Sequence, residues 1–376
     1  LILLRRACLA VLVSGIASGG GLVLEGPYLM PSAVAEENKP RQKTRRVPSL
    51  SEEVYKKLSE GQEAIDLKDF ATAKDIVMKA LERSRRYNEN EIANLHNILG
   101  YIYYLEDDYQ GALREYKIVV SQGDKIPEGL ESTTLYTVAQ LSYVEENYRD
   151  ALKYMEIWIS KALNPSADPR FFLATVYYQM KDYDRAIEQM ELGIAIAQER
   201  NTKITEQNWG LLTFLYFEKE DWPNVIKTLQ ILVEKFPKRE HWVRLAGVYG
   251  QEGYEKEQMY TLEAAYTAGF LEKQTDYTNL AGLLMQEEVP YRAAKVLLAG
   301  FQAEAIERED KTLQSLGQAW QLSQEVDKAI EVYEEAAELS GDGKIFERLS
   351  YLYLEDDQFD KCVAAASGAL DKGGLR

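Results

Sequence analysis

Small residues return along this chain at a spacing that few architectures can use. Ala73, Ala112, Ala151, Ala186, Val225, Gln258, Ala294, Ala329 and Cys362 follow one another at intervals of 39, 39, 35, 39, 33, 36, 35 and 33 residues. Twelve residues before each stands Gly61, Gly100, Ala139, Ala174, Thr213, Ala246, Gly282, Gly317 or Ser350. A small residue in each half of a helical hairpin lets the two helices approach closely where they cross. A period of this length, repeated nine times, is the mark of a stacked array and leaves no place for a sheet.

Other residues keep the same beat. Tyr103, Tyr177, Tyr216, Tyr249, Trp320 and Tyr353 follow the first small residue by three, one helical turn on, where a ring fills the space between helices. Asp69, Asp108, Asn147, Asp182 and Asp221 stand where a side chain caps the second helix of each hairpin. The carboxylate clusters Glu106-Asp107-Asp108, Glu145-Glu146 and Glu355-Asp356-Asp357 share that place in the repeat, so they read as solvated turns rather than acid–base pairs.

With a unit near 34 residues, Leu99-Gly100, Tyr103, Tyr109, Ala112 and Tyr116 resemble the tetratricopeptide repeat (TPR). Leu316-Gly317, Trp320, Ala329 and Tyr333 repeat the resemblance. It implies an all-α fold, a right-handed α-solenoid of about nine helical hairpins over residues 50–374. Unit six departs furthest, with Gln258 in the small position, and a shifted or bent second helix is expected there.

Charge divides the chain. Residues 1–46 hold seven Lys/Arg against three Glu, a net of +4, so the remainder carries −21 of a total of −17. Such a body repels phosphate backbones, which excludes nucleic acid as a main partner. Arg5 and Arg6, the apolar stretch from Ala7 to Ala17 and the ending Ala33-Val34-Ala35 read as an export signal over residues 1–35, giving a periplasmic protein; the alternative is a retained inner-membrane anchor facing the periplasm. Residues 36–49 form a basic linker in which Lys39, Arg41, Lys43, Arg45 and Arg46 lie around Pro40 and Pro48. An extended, exposed tether is expected there, either a plain spacer or a contact for an anionic surface, phospholipid headgroups or a partner's acidic patch. With two His and two Cys in 376 residues, no zinc-type site or cofactor is expected, and no nucleophile motif points to an enzyme.

By resemblance, the first helix of each hairpin lines an inner wall. Its inward positions are Asn94, Asn97, Tyr101 and Tyr104; Thr133, Tyr136, Gln140 and Tyr143; Asp168, Phe171, Thr175 and Tyr178; and Gln207, Gly210, Phe214 and Phe217. Eight of these sixteen are aromatic, a composition suited to gripping a protein or peptide partner. The same register gives a polar wall further on, at Asp276, Asn279, Leu283 and Gln286 and at Lys311, Gln314, Gln318 and Gln321. The lead "KTRRVPSLSEEVYKKLSEGQ" after a signal is similar to the start of exported repeat proteins associated with bacterial TonB energy-transduction systems. That resemblance implies a non-enzymatic periplasmic adaptor for a cell-envelope partner such as the TonB motor complex. The other role of this type is an envelope-assembly factor that positions a peptidoglycan or outer-membrane biogenesis enzyme.

Overall fold

The computed structural model describes residues 45–374. Among them are eighteen α-helices, two isolated 3₁₀ turns and no strand. The chain divides into two compact units, Leu1–Lys203 and Ile204–Arg376. In the first unit the described helices form four hairpins: α1 (Glu52–Asp66) with α2 (Phe70–Leu81), α3 (Glu89–Leu105) with α4 (Tyr109–Ser121), α5 (Glu128–Val144) with α6 (Tyr148–Lys161), and α7 (Asp168–Gln179) with α8 (Tyr183–Glu199). The second unit holds five: α9 (Glu206–Glu218) with α10 (Trp222–Lys235), α11 (Arg239–Gln251) with α12 (Glu255–Thr267), α13 (Gln274–Gln286) with α14 (Pro290–Gln302), α15 (Asp310–Leu322) with α16 (Val326–Leu339), and α17 (Gly343–Glu355) with α18 (Phe359–Lys372). Within each unit every helix packs on the next, the arrangement of a repeat array.

All nine hairpins turn in the same way. One residue in each turn takes the left-handed conformation: Lys68, Asp107, Glu146 and Lys181 in the first unit, and Glu220, Gly253, Glu288, Gln324 and Asp357 in the second. The next amide then bonds back into the helix just ended, as Asp108 N–H does to the Tyr103 carbonyl at 2.9 Å. Asp69, Asp108, Asn147, Asp182 and Asp221 accept the amides of Thr72, Gly111, Asp150, Arg185 and Asn224, starting the second helix as expected. These bonds account for the acidic clusters: they are turn residues and helix caps.

The small residues sit where the helices cross. Ala73, Ala112, Ala139, Ala151, Ala174 and Ala186 have no exposed surface. At Gly100 a Cβ would lie 2.8 Å from the Tyr116 ring, and at Gly317 it would lie 2.8 Å from the Tyr333 ring, so ring and glycine are matched across each hairpin. Two expectations change. Gly282 faces open space, and on that helix the neighbouring Ala281 is the buried small residue, while on the second helix of the hairpin Ala294 is buried as expected, with Ala293 beside it. The helix carrying Gln258 runs without a break from Glu255 to Thr267. Its side-chain amide lies over Gly250, where a Cβ would come within 2.7 Å of it, so a glycine on the first helix makes the room that a small residue on the second would have made.

Candidate functional site

In the first unit the expected wall is a band of half-buried rings on α3, α5 and α7. Tyr101 packs against the core of the first hairpin, and Tyr104 against the core formed by α4 and α5. Tyr136 stands edge-on to Trp158 with centroids 5.2 Å apart. Tyr143 lies 5.8 Å from Tyr148 and 5.8 Å from Phe172 on the following hairpin, and Tyr178 stacks on Tyr183 at 6.5 Å. Each ring therefore gives one side to the packing between helices and leaves another part open. Burial, and then the neighbouring Asp168 carboxylate, pushes the Tyr136 phenol up to about 12. Burial also raises Tyr104, with Tyr101 and Asp107 adding to the effect.

The amides of the wall divide by their bonding. Asn94 turns back on its own helix, donating to the Asn90 carbonyl at 2.8 Å. The half-buried side chains of Asn97 and Gln140 have no hydrogen-bond partner among the described residues. Two free amides among aromatic edges supply donors and acceptors to a main chain laid across them.

Several expected positions fall elsewhere. Phe171 is only 8% exposed, and its ring covers Gly193 of α8 so closely that a Cβ there would come within 2.6 Å; it is core, not wall. Phe214 and Phe217 belong to the second unit, where Phe217 is 45% exposed and edge-on to Trp222 at 5.3 Å. Asp276, expected on a polar wall, is buried and receives two hydrogen bonds from Arg239, at 2.6 and 2.5 Å. Burial alone would raise its pKa. The Arg239 guanidinium and the amides of Lys273 and Glu272 outweigh this and hold the carboxyl below the usual range.

The lead is also different. The segment expected to be an export signal, residues 1–35, lies outside the described residues together with Lys39, Arg41 and Lys43, and Arg46 is exposed. Arg45 is not a free tether residue: its guanidinium donates to Glu131 of α5 at 2.6 Å. From there the chain runs without regular secondary structure to Ser51, which caps α1.

One feature of the wall was not anticipated. Tyr104 and Tyr109, Tyr143 and Tyr148, and Tyr178 and Tyr183 pair across their turns, as do Phe217 with Trp222 and Tyr249 with Tyr254 in the second unit. The signal is visible in "YLEDDY", "YVEENY", "YQMKDY", "FEKEDW" and "YGQEGY": two aromatics five apart flanking the turn. Among the described residues no three or more His, Cys, Asp or Glu side chains converge as a metal site, and no helix is long and apolar enough to cross a membrane.

A protein made of two-helix repeats, each packed on the next within its unit, is a helical-repeat protein in class. Residues 167–200, the fourth hairpin, match the tetratricopeptide repeat, and the other hairpins are built to the same plan. No curated protein matches the chain. Among solved structures it is similar to a tetratricopeptide repeat protein from Parabacteroides merdae, with 17% identity over 72% of this chain and 99% of that one and a TM-score of 0.40. Another is the C-terminal part of a TPR repeat-containing protein from Cytophaga hutchinsonii, with 14% identity, 64% and 96% coverage and a TM-score of 0.37. A third is YrrB, described as a TPR protein with an unusual peptide-binding site, with 13% identity, 50% and 90% coverage and a TM-score of 0.37. Likenesses this distant carry no argument about what the chain binds.

Proposed function

We propose that the protein is a non-enzymatic scaffold that holds an extended segment of a partner protein across α3, α5 and α7. The observation that carries this reading is the pair of unpaired amides, Asn97 and Gln140, set among Tyr101, Tyr104, Tyr136, Tyr143 and Tyr178. Rings with one open side offer apolar contact at low entropic cost, and the amides bond to main chain without demanding a particular sequence. The wall presents no Lys or Arg at its inward positions, so an acidic tail is a poor fit. From the signal and the lead comes the finer part of the proposal: a periplasmic adaptor in the cell envelope, with a TonB-type motor complex as its partner.

A photo-crosslinking residue in place of Gln140, used in the full chain in the envelope fraction, tests the reading. The expected result is a discrete partner that is lost when Asn97→Ala is added, and that is not captured from Lys153 on the outer surface of α6. Equal capture from both positions refutes the assignment of the wall. Capture of a peptidoglycan or outer-membrane biogenesis enzyme instead moves the protein to the assembly-factor role.

A further inference from the structure

Among the described residues the first hairpin has neighbouring hairpins on one side alone, and an end member of such an array should fray first. Here a second fastening crosses it. Between Arg45 and Ser51 the chain has no regular secondary structure and is held by side chains of two later hairpins. Asn90, itself buried, donates its amide to the Pro48 carbonyl at 2.9 Å, and Asn88 donates to the Ser49 carbonyl at 3.0 Å. The Ser51 N–H donates to the buried Glu91 carboxylate at 2.7 Å. Burial would raise the Glu91 carboxyl, but the Ser51 and Asn88 amides hold it down. At the far end Arg45 reaches Glu131, whose side chain is 5% exposed and whose other oxygen accepts from Lys161 at 2.7 Å.

These groups have a cost if the lead leaves. Glu91 would lose one of its bonds, Asn90 would lose the Pro48 carbonyl, and Glu131 would keep only the half-exposed Lys161, each while buried. Such groups are retained where something is reliably present to satisfy them. We propose that residues 45–51 are a clasp that locks the first three hairpins into one cooperative block, with the Arg45 guanidinium as its key. The key site is a specific receptor for a guanidinium. Glu131 supplies the carboxylate, and beside the pair Arg45 and Glu131 line an open cleft of about 110 Å³ together with Leu135, Ser132 and Trp158, whose indole N–H donates to the Ser132 hydroxyl at 2.9 Å. The clasp ties residues 86 positions apart, so opening α1 opens the contact to α5 as well.

Hydrogen exchange of the full chain tests this, read over α1 and residues 47–51. Arg45→Ala is expected to speed exchange there by roughly tenfold, whereas Arg46→Ala, one residue on and exposed, leaves it unchanged. Added methylguanidinium should restore protection in Arg45→Ala but not in the double variant Arg45→Ala/Glu131→Gln. Arg45→Lys, which keeps the charge without the planar fork, should fall between and guards against a general loss of structure. If Arg45→Ala matches Arg46→Ala there is no clasp. If exchange rises but methylguanidinium does not reverse it, Glu131 is not a guanidinium receptor.

Discussion

Gly317→Ala and Gly247→Ala are the same chemical change in the interiors of two first helices of the second unit, and the structure gives them opposite signs. In either helix an added methyl improves the intrinsic preference by about 0.8–1 kcal/mol, through the backbone entropy that glycine loses on folding. At Gly247 nothing lies within 4 Å of the new Cβ, so the gain stands. At Gly317 the Cβ would meet three carbons of the Tyr333 ring at 2.8, 2.9 and 2.9 Å. That ring cannot simply step aside. Tyr333 is fully buried, and its hydroxyl accepts from the Arg348 guanidinium at 3.1 Å. Overpacking of this kind costs about 1–3 kcal/mol, which offsets the helix gain and leaves a net loss of up to about 2 kcal/mol. Gly282→Ala belongs with Gly247→Ala, although the spacing of small residues alone would class it with Gly317→Ala. Urea and thermal unfolding of the full chain, followed by helical circular dichroism, measure all three. At roughly 2–4 °C per kcal/mol for units of this size, the variants should lie on opposite sides of the parent. If Gly282→Ala destabilises as much as Gly317→Ala, the one-residue shift in the seventh hairpin is wrong. If Gly317→Ala stabilises, the ring and glycine are not matched at all.

Glu220→Gly should stabilise by about 0.5–1 kcal/mol, because it removes a side chain from a left-handed turn position, while Gly253→Ala at the equivalent turn should destabilise by a similar amount; unfolding midpoints decide. Asp276→Ala should cost about 3 kcal/mol by leaving the largely buried Arg239 without its carboxylate, measured by urea unfolding near neutral pH. The same carboxyl titrates below its unfolded value, so its stabilisation is full above about pH 4 and is lost as pH falls toward the lower folded value; in Asp276→Asn that part of the acid dependence should vanish. Tyr136 has the reverse sign. Its folded value of about 12 lies above the unfolded 10, so its contribution is complete below pH 10 and disappears as pH rises to 12, a loss of about 3 kcal/mol that Tyr136→Phe should not show. Replacing Tyr101, Tyr104, Tyr143 and Tyr178 together by Ala should abolish partner binding, and because Tyr143 also packs on Phe172 it should lower the unfolding midpoint as well; intact binding refutes the wall.

What the amino-acid order determined by itself was the hairpin. Small residues twelve apart, a cap such as Asp108 and an acidic turn are all written within some thirty-five residues, and the forces that read them are local: helix propensity, capping and the close approach of two adjacent helices. The ring–glycine pairs Gly100 with Tyr116 and Gly317 with Tyr333 lie sixteen apart and belong to the same local grammar. Tertiary structure decided whatever depends on which row of one hairpin faces which row of another. A register shift of one residue puts Ala281 instead of Gly282 at a crossing, and the space beside Gly193 takes the Phe171 ring into the core. Arg239 finds Asp276 across 37 residues, and Arg45 finds Glu131 across 86. Ion pairs of this kind leave no periodic trace, because a charge at a given position is equally compatible with solvent; only the packed neighbours remove the water and make one partner obligatory.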